Sequence, residues 1–382
     1  MKIDPYGHKE RYKKWREDVE QTGISGISKY NSNLILQYLD DMYYGLNVSI
    51  ASIKGGRSPS RLNTLRGKMV FFCEKFNEMY ELNKITAIDE IQLHKLFSVM
   101  RKGELLTKRG KRFTSTGDYV KVFKAFWHWH MKINRKKGTE IIDITEDLDS
   151  REDKPKWVYL DEKQVKLLCG QAKHKYKVLM MFLIDTGIRA PTELMNIKIS
   201  DLYNDCKEVN IRDEISKTFG RKIKLMLASD LIKNFIEDEE LQEEDYLFQI
   251  SPTVVNRYLQ RLALKVFGDE TSLAGEKYSN LTMYDFRHIA CCYWLPRYKS
   301  ESALKYRFGW KKSDKIHYYS EMLGMSDTIA DEDMFIDTTK TELEQKLAKS
   351  DTEKEVLQER VSVLEGQMEK ILDMIEDGKG LV

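Results

Sequence analysis

Six side chains between residues 189 and 319 make a set suited to one kind of substrate: Arg189, Lys217, Tyr284, Arg287, Trp310 and Tyr319. Guanidinium forks bind the non-bridging oxygens of a phosphate and stabilise charge gathering on them in a transition state. A lysine can protonate a leaving oxygen. A tyrosine can attack phosphorus and hold the bond as a covalent ester, and an indole N–H is a further donor. No carboxylate cluster of the metal-binding kind accompanies them, so the arginines are expected to do the work a cation does elsewhere, with no metal and no cofactor. Taken singly, each residue also has a plain structural reading: Arg189 as a partner of Glu193, Lys217 as a turn lysine, Tyr319 as a core aromatic with a wet hydroxyl.

The elements that must position these groups can be read from periodicity and punctuation. DEKQVKLLCGQA reads as a helix capped by Asp161, and KHKYKVLMMFLIDTG as a buried helix ended by Gly187, which puts Arg189 just past its end. IRAPTELMNIKISDL places Pro191 to begin another helix. KEVNIRDEISKTFGRKIKLML alternates, with Val209 and Ile211 on one side of a turn and Ile223, Leu225 and Leu227 on the other; this predicts a β-hairpin carrying Lys217 near its tip and Gly220 in the turn. SPTVVNRYLQRLALKVFG begins with Ser251 and Pro252 and sets Arg257, Arg261 and Lys265 four apart on one stripe, a spacing that can lie along a DNA groove. In LTMYDFRHIACCYWL, Tyr284 and Arg287 stand at the lip of an apolar helix, where polar groups need partners.

The first half is helical throughout. A charged arm (residues 1–22) precedes four amphipathic helices between residues 23 and 139. In the last of these, Tyr119, Val122, Phe123, Phe126, Trp127 and His130 share a face, leaving Lys121 and Lys124 free to present charge. RKGELLTKRGKRFTS, with Lys108, Arg109, Lys111 and Arg112, and then Arg135, Lys136 and Lys137 form the densest basic zone, the expected place for phosphate contacts. Residues 140–157, acidic and containing Pro155, read as the interdomain linker, followed by a catalytic domain over residues 158–330.

Net charge is only +2, but residues 1–150 carry about +8 and those after 330 about −8. That asymmetry suits a polyanion binder whose tail does another job. In the acidic tail (residues 331–382), positions from Leu343 to Ile375 step by four and three, the spacing of a self-associating coiled coil. The cysteines show no CxxC spacing, the N-terminus is charged where a signal peptide is apolar, and no run approaches the ~18 apolar residues of a membrane span. A soluble cytoplasmic protein without membrane contact is expected.

TGIRAPTELMNIKISDL, YDFRHIA, FGW and the Tyr318–Tyr319 pair resemble the successive boxes of the tyrosine recombinase family, the phage-integrase type of DNA strand-exchange enzyme. The resemblance covers the second domain, and the helical first domain is similar to the family's core-binding domain. It implies a mainly α fold with a small antiparallel β-sheet, of the DNA breaking-rejoining type. It also implies a site-specific recombinase or integrase of a mobile element, acting on double-stranded DNA as a tetramer across two sites through a 3′-phosphotyrosine.

By position in these boxes, Arg189 and Arg287 correspond to the two catalytic arginines, and Lys217 to the hairpin general acid, with Lys222 as the alternative. Trp310 corresponds to the histidine-or-tryptophan position, and His288 to a supporting histidine. Tyr319, nine residues after Trp310, corresponds to the nucleophile, with Tyr318 as the alternative. Tyr284 stands where most members carry histidine, and a phenol is a poor base near neutrality. Glu193 comes four residues after Arg189, where the family's acidic residue usually comes three after. A type IB topoisomerase-like enzyme and a non-catalytic DNA-binding protein on the same fold are the rival readings.

Overall fold

The computed structural model describes residues 3–48, 55–108, 110–152, 154–298, 300–323 and 361. Apart from Val361, the acidic tail and the coiled coil expected in it lie outside the described residues, as does Arg109.

The N-terminal half consists of α1 (His8–Thr22), α2 (Lys29–Tyr44), α3 (Pro59–Tyr80), α4 (Glu90–Lys102) and α5 (Thr116–Arg135). Local signals set their starts. The Ser28 and Ser58 hydroxyls accept from the Asn31 and Arg61 amides in the first turns of α2 and α3, and Asp89 and Gln92 form a reciprocal capping box on α4. An aromatic core holds these helices together: Tyr38 of α2, Phe72 and Phe76 of α3, and Phe123, Phe126 and Trp129 of α5 are fully buried. Each such ring removes a large apolar area from water, about 1.5–3 kcal/mol for a Phe-sized side chain.

The stretch expected as a linker is largely built into this half. Leu148 joins the helical core, the Trp127 indole donates to the Ile142 carbonyl at 3.0 Å, and Arg101 donates to the Asp149 carbonyl at 2.7 Å. Two of its acidic groups also meet α5, Glu152 pairing with Lys121 and Asp143 lying 2.8 Å from His128, and the Glu146 backbone carbonyl accepts from Lys124 at 3.0 Å. Its charge is thus complementary to the helix it covers. At the other end of this half, the arm's Ile3 exchanges two hydrogen bonds with the Asn196 side chain, at 2.6 and 3.0 Å.

The second half runs α6 (Glu162–Gln171), α7 (His174–Thr186), β1 (Leu202–Tyr203), β2 (Glu208–Ile211), β3 (Arg221–Lys224), α8 (Ser229–Asp238), α9 (Pro252–Phe267), α10 (Asp285–Trp294), α11 (Glu301–Phe308) and α12 (Asp314–Leu323). The strands form one antiparallel sheet in the order β1-β2-β3, with Ile211 opposite Arg221 and Val209 opposite Ile223. The mainly helical fold with a small antiparallel sheet is the one expected. The sheet gains a short strand, β1, that alternation could not reveal in two residues, and Leu225 and Leu227 lie beyond the end of β3.

One expected helix is absent. After Arg189 the chain makes only two single 3-10 turns, Leu194–Asn196 and Ile199–Asp201. Glu193, instead of pointing to solvent from a helix, is buried and takes the Arg189 amide on its own carboxylate at 2.9 Å.

A buried ion pair ties the remaining elements. Asp185, at the end of α7, accepts from the Met226, Leu227 and Ala228 amides at 2.7–2.9 Å and lies 2.7 Å from Arg307 of α11. Three separate segments are thereby fixed on one carboxylate.

Candidate active site

α7 ends at Gly187 in the left-handed conformation (φ 59°), and a Cβ there would run into the Phe308 ring. Only glycine satisfies both conditions, and its carbonyl accepts from Arg287 Nη1. Arg189, two residues on, donates from Nη1 to Glu193 Oε1 and from Nη2 to the Gly309 carbonyl, both at 2.9 Å. Arg287 is buried one turn into α10 and donates from Nη2 to the Phe308 carbonyl at 2.6 Å. The two guanidiniums are therefore held by consecutive carbonyls of one turn, Phe308 and Gly309.

That turn accounts for the FGW triplet. Gly309 caps α11 at φ 61°, where an added Cβ would come within 2.9 Å of the Arg221 guanidinium. Phe308 fills the space left by Gly187 and stacks under Trp310 at 4.7 Å between centroids. Trp310 in turn lies parallel to the Tyr319 ring at 6.2 Å and 11°.

Glu193 is the anchor beneath the arginines. It pairs with Arg189 at 2.9 Å and with the fully buried Arg221 at 2.9 Å, while Arg221 Nε donates to the Arg307 carbonyl at 2.8 Å. Burial alone would raise the Glu193 carboxyl, but the Arg221 charge and hydrogen bond, with the Arg189 amide, overcome this and hold it at about 2. For Arg287 the balance is reversed: burial first, then repulsion from Arg189, push its guanidinium down from its usual range, against the attraction of Glu193. A buried cation beside a second cation is a place where an anion is favoured.

The loop between β2 and β3 is moored on both sides of Lys217. The Ser216 hydroxyl reaches Glu193 at 3.3 Å, and the Thr218 hydroxyl donates to the Gly309 carbonyl at 2.9 Å. Lys217 itself is exposed, with no ion-pair partner among the described residues. The alternative lysine is directed differently. On β3, Arg221 and Ile223 face the core, so Lys222 and Lys224 face outward, and the Lys222 ammonium sits over the Tyr203 ring at 5.3 Å.

The two adjacent tyrosines of α12 are also separated by their partners. Tyr319 is buried, and its hydroxyl is hydrogen-bonded to Nδ1 of His288. Burial is the main cause that drives its phenol well above the ordinary value. Tyr318 points toward the segment before α6: its hydroxyl accepts from the Trp157 indole at 2.9 Å and donates to the Pro155 carbonyl at 3.3 Å. Trp157 stacks on His288 at 4.8 Å. Asp285 accepts from the Val158 amide at 3.0 Å and from Thr282 through amide and hydroxyl, which fixes this segment against α10. Tyr284 is half-exposed at the start of α10, its ring edge-on to His288 at 5.3 Å.

The structure thus brings Arg189, Arg287, Trp310 and Tyr319 into one cluster, sets the backbone of Lys217 beside it, and leaves Tyr284 at its rim. Sequence reasoning passed over Arg221 and Trp157. Arg221 had a readable signal, since an arginine in phase with buried Ile223 on a strand must find a buried partner. Trp157 had none within its own segment.

The basic residues divide. Lys108, Lys111, Arg112, Lys121, Arg135, Lys136, Lys137, Arg257, Arg261 and Lys265 are exposed, while Lys124 is half-buried. Lys108 lies 3.5 Å from Glu74, and Lys136 donates to Asn47 at 2.6 Å. Arg257, Arg261 and Lys265 share the outer face of α9, and Asn256 accepts the Met283 amide at 2.9 Å, which ties α9 to the segment before α10. Among the described residues no group of His, Cys, Asp and Glu could hold a metal ion, and no helix is long and apolar enough to cross a membrane.

Comparison with curated protein sequences gives no match. Among solved structures, the chain is similar to a lambda integrase dimer bound to a COC' core site, at 13% identity and TM-score 0.57, covering 78% of this chain and 79% of that one. It is also similar to the Tn1549 transposon integrase in complex with circular intermediate DNA, at 14% and 0.55, covering 76% and 95%. The XerH site-specific recombinase bound to its difH substrate gives 14% and 0.54, covering 78% and 94%. Residues 158–323, which contain every member of the cluster, match the phage integrase family. Over residues 158–323 the chain is therefore similar to the phage integrase family.

Proposed function

We propose that this protein is a site-specific DNA recombinase, an integrase of a mobile element, that cleaves and rejoins duplex DNA through a phosphotyrosine without metal or ATP. The observation that carries the reading is the fixing of two arginines on the consecutive carbonyls of Phe308 and Gly309, with Tyr319 held against Trp310 at the same turn.

In this reading Arg189, Arg287 and the Trp310 indole hold the non-bridging oxygens of the scissile phosphate and stabilise the charge that develops there. Tyr319 attacks phosphorus, the 3′-phosphotyrosine forms, and the bond to the 5′ oxygen breaks. Lys217 gives its proton to that oxygen. The 5′-hydroxyl of a partner strand then reverses the step, so bond energy is conserved in the ester. Tyr284 hydrogen-bonds the DNA phosphate from the rim. The basic loop around Lys108, Lys111 and Arg112, the α5 lysines, the Arg135–Lys137 run and the α9 stripe supply phosphate contacts along the duplex. Pairing of two DNA sites calls for a tetramer, and the acidic tail is its proposed assembly element.

A nicked duplex carrying the attachment sequence that flanks the gene traps the intermediate, because the short strand beyond the cut diffuses away. The expected result is a covalent protein–DNA adduct in wild type and none in Tyr319→Phe. DNA binding without any adduct would favour a binding-only protein. Efficient relaxation of supercoiled DNA by the monomer, with no sequence requirement, would favour a topoisomerase.

A further inference from the structure

We infer that His288, and not the residue at position 284, is the general base that takes the proton of Tyr319. The inference rests on the reading above and completes it, since the attack leaves the phenol's proton without an assigned acceptor. The contact is direct: Nδ1 of His288 is hydrogen-bonded to the Tyr319 hydroxyl.

The ring is held for this contact from several sides. It stacks on Trp157 at 4.8 Å and 24°, and Trp157 is itself fixed by its indole bond to Tyr318 and by the Trp157 carbonyl accepting from Ser272 at 3.2 Å. The Tyr284 ring closes a further side, edge-on at 5.3 Å. Among the described residues, the other groups around the Tyr319 phenol are no substitute. Trp157, Trp310 and Tyr318 lack a basic lone pair, and Arg287 is a cation. Burial drives the Cys291 and Cys292 thiols far above their usual range. Among the described residues around the phenol, imidazole is the side chain whose ordinary titration range suits proton transfer near neutrality. Burial also makes the phenol a weak acid, which increases the need for a base in contact with it.

The step balances as follows. Neutral His288, carrying its proton on Nε2, accepts the Tyr319 proton at Nδ1 as Oη bonds to phosphorus. The bond from phosphorus to the 5′ oxygen breaks, and that oxygen takes a proton from Lys217. On rejoining, the imidazolium returns its proton to the departing phenolate, and Lys217 recovers its own from the incoming hydroxyl.

The test is single-turnover cleavage of the nicked duplex at saturating protein, with His288→Gln to keep a hydrogen-bonding group and His288→Phe to keep the stack on Trp157. Both are expected to slow cleavage by about 100-fold or more, with DNA affinity and thermal midpoint close to wild type. A substrate with sulfur in place of the leaving 5′ oxygen needs no general acid, so it should restore Lys217→Ala and leave His288→Gln slow. The inference is overturned if His288→Gln cleaves within about threefold of wild type, or if the sulfur substrate rescues it as fully as Lys217→Ala. Absence of a wild-type adduct at Tyr319 would instead bring down the underlying reading, and this inference with it.

Discussion

Around Arg189 and Arg287 each guanidinium is committed to named carbonyls or carboxylates, whereas Arg257, Arg261 and Lys265 stand on the outer face of α9 with no ion-pair partner among the described residues. The first arrangement costs desolvation and is maintained by Glu193, Arg221 and the Phe308–Gly309 turn. The second costs almost nothing and can track a flexible polyanion. Groups that must meet a transition state are fixed in advance, so that little reorganisation accompanies the reaction. Groups that only hold a backbone can remain mobile until it arrives.

The difference can be broken most sharply at Arg287. Arg287→Lys keeps a charge but loses the fork that spans the Gly187 and Phe308 carbonyls, and should lower cleavage about 100- to 1,000-fold in single-turnover assays, with little change in DNA affinity. Glu193→Gln comes next. It leaves buried Arg221 without a counter-charge and should lower unfolding free energy by about 3–5 kcal/mol, read by urea titration.

The Glu193 pair also has a pH signature. Its folded carboxyl, at about 2, lies below the unfolded value of 4.5, so its stabilisation is complete above the unfolded value and lost as pH falls toward the folded one. Acid titration of wild type against Glu193→Gln should show the difference in stability shrinking across that window; a difference that stays constant there would remove the pair from the account.

The outer surface should respond in another quantity. Arg257→Ala or Arg261→Ala should weaken DNA binding and lower the slope of log affinity against log salt by about one each. Lys124→Ala should have the smallest effect, because Lys124 is half-buried and already donates to the Glu146 carbonyl. A salt slope that changes as much for Lys124 as for Arg257 would dissolve the distinction between the two regions.

What could be read from sequence follows how local the cause is. The Asp161 cap, the stop at Gly187 and the β2–β3 hairpin depend on neighbours within a few residues, and the structure has all three. The helix expected from Pro191 fails because Glu193 turns inward to Arg221, 28 residues away, a pairing that no local pattern announces. Residues 140–157 read as a linker from composition, yet Asp143 and Glu152 among them meet His128 and Lys121 of α5, which a one-dimensional reading cannot place beside them. At the site, the residue types and order were legible. The separation of Tyr318 from Tyr319 was not, since it depends on Trp157 and His288 arriving from two other segments.

The most direct measurement is a peptide map of the trapped adduct. After digestion of protein and DNA, mass spectrometry should find the nucleotide phosphate on Tyr319 and an unmodified Tyr318. A phosphate on Tyr318, surviving Tyr319→Phe and lost in Tyr318→Phe, would contradict the account.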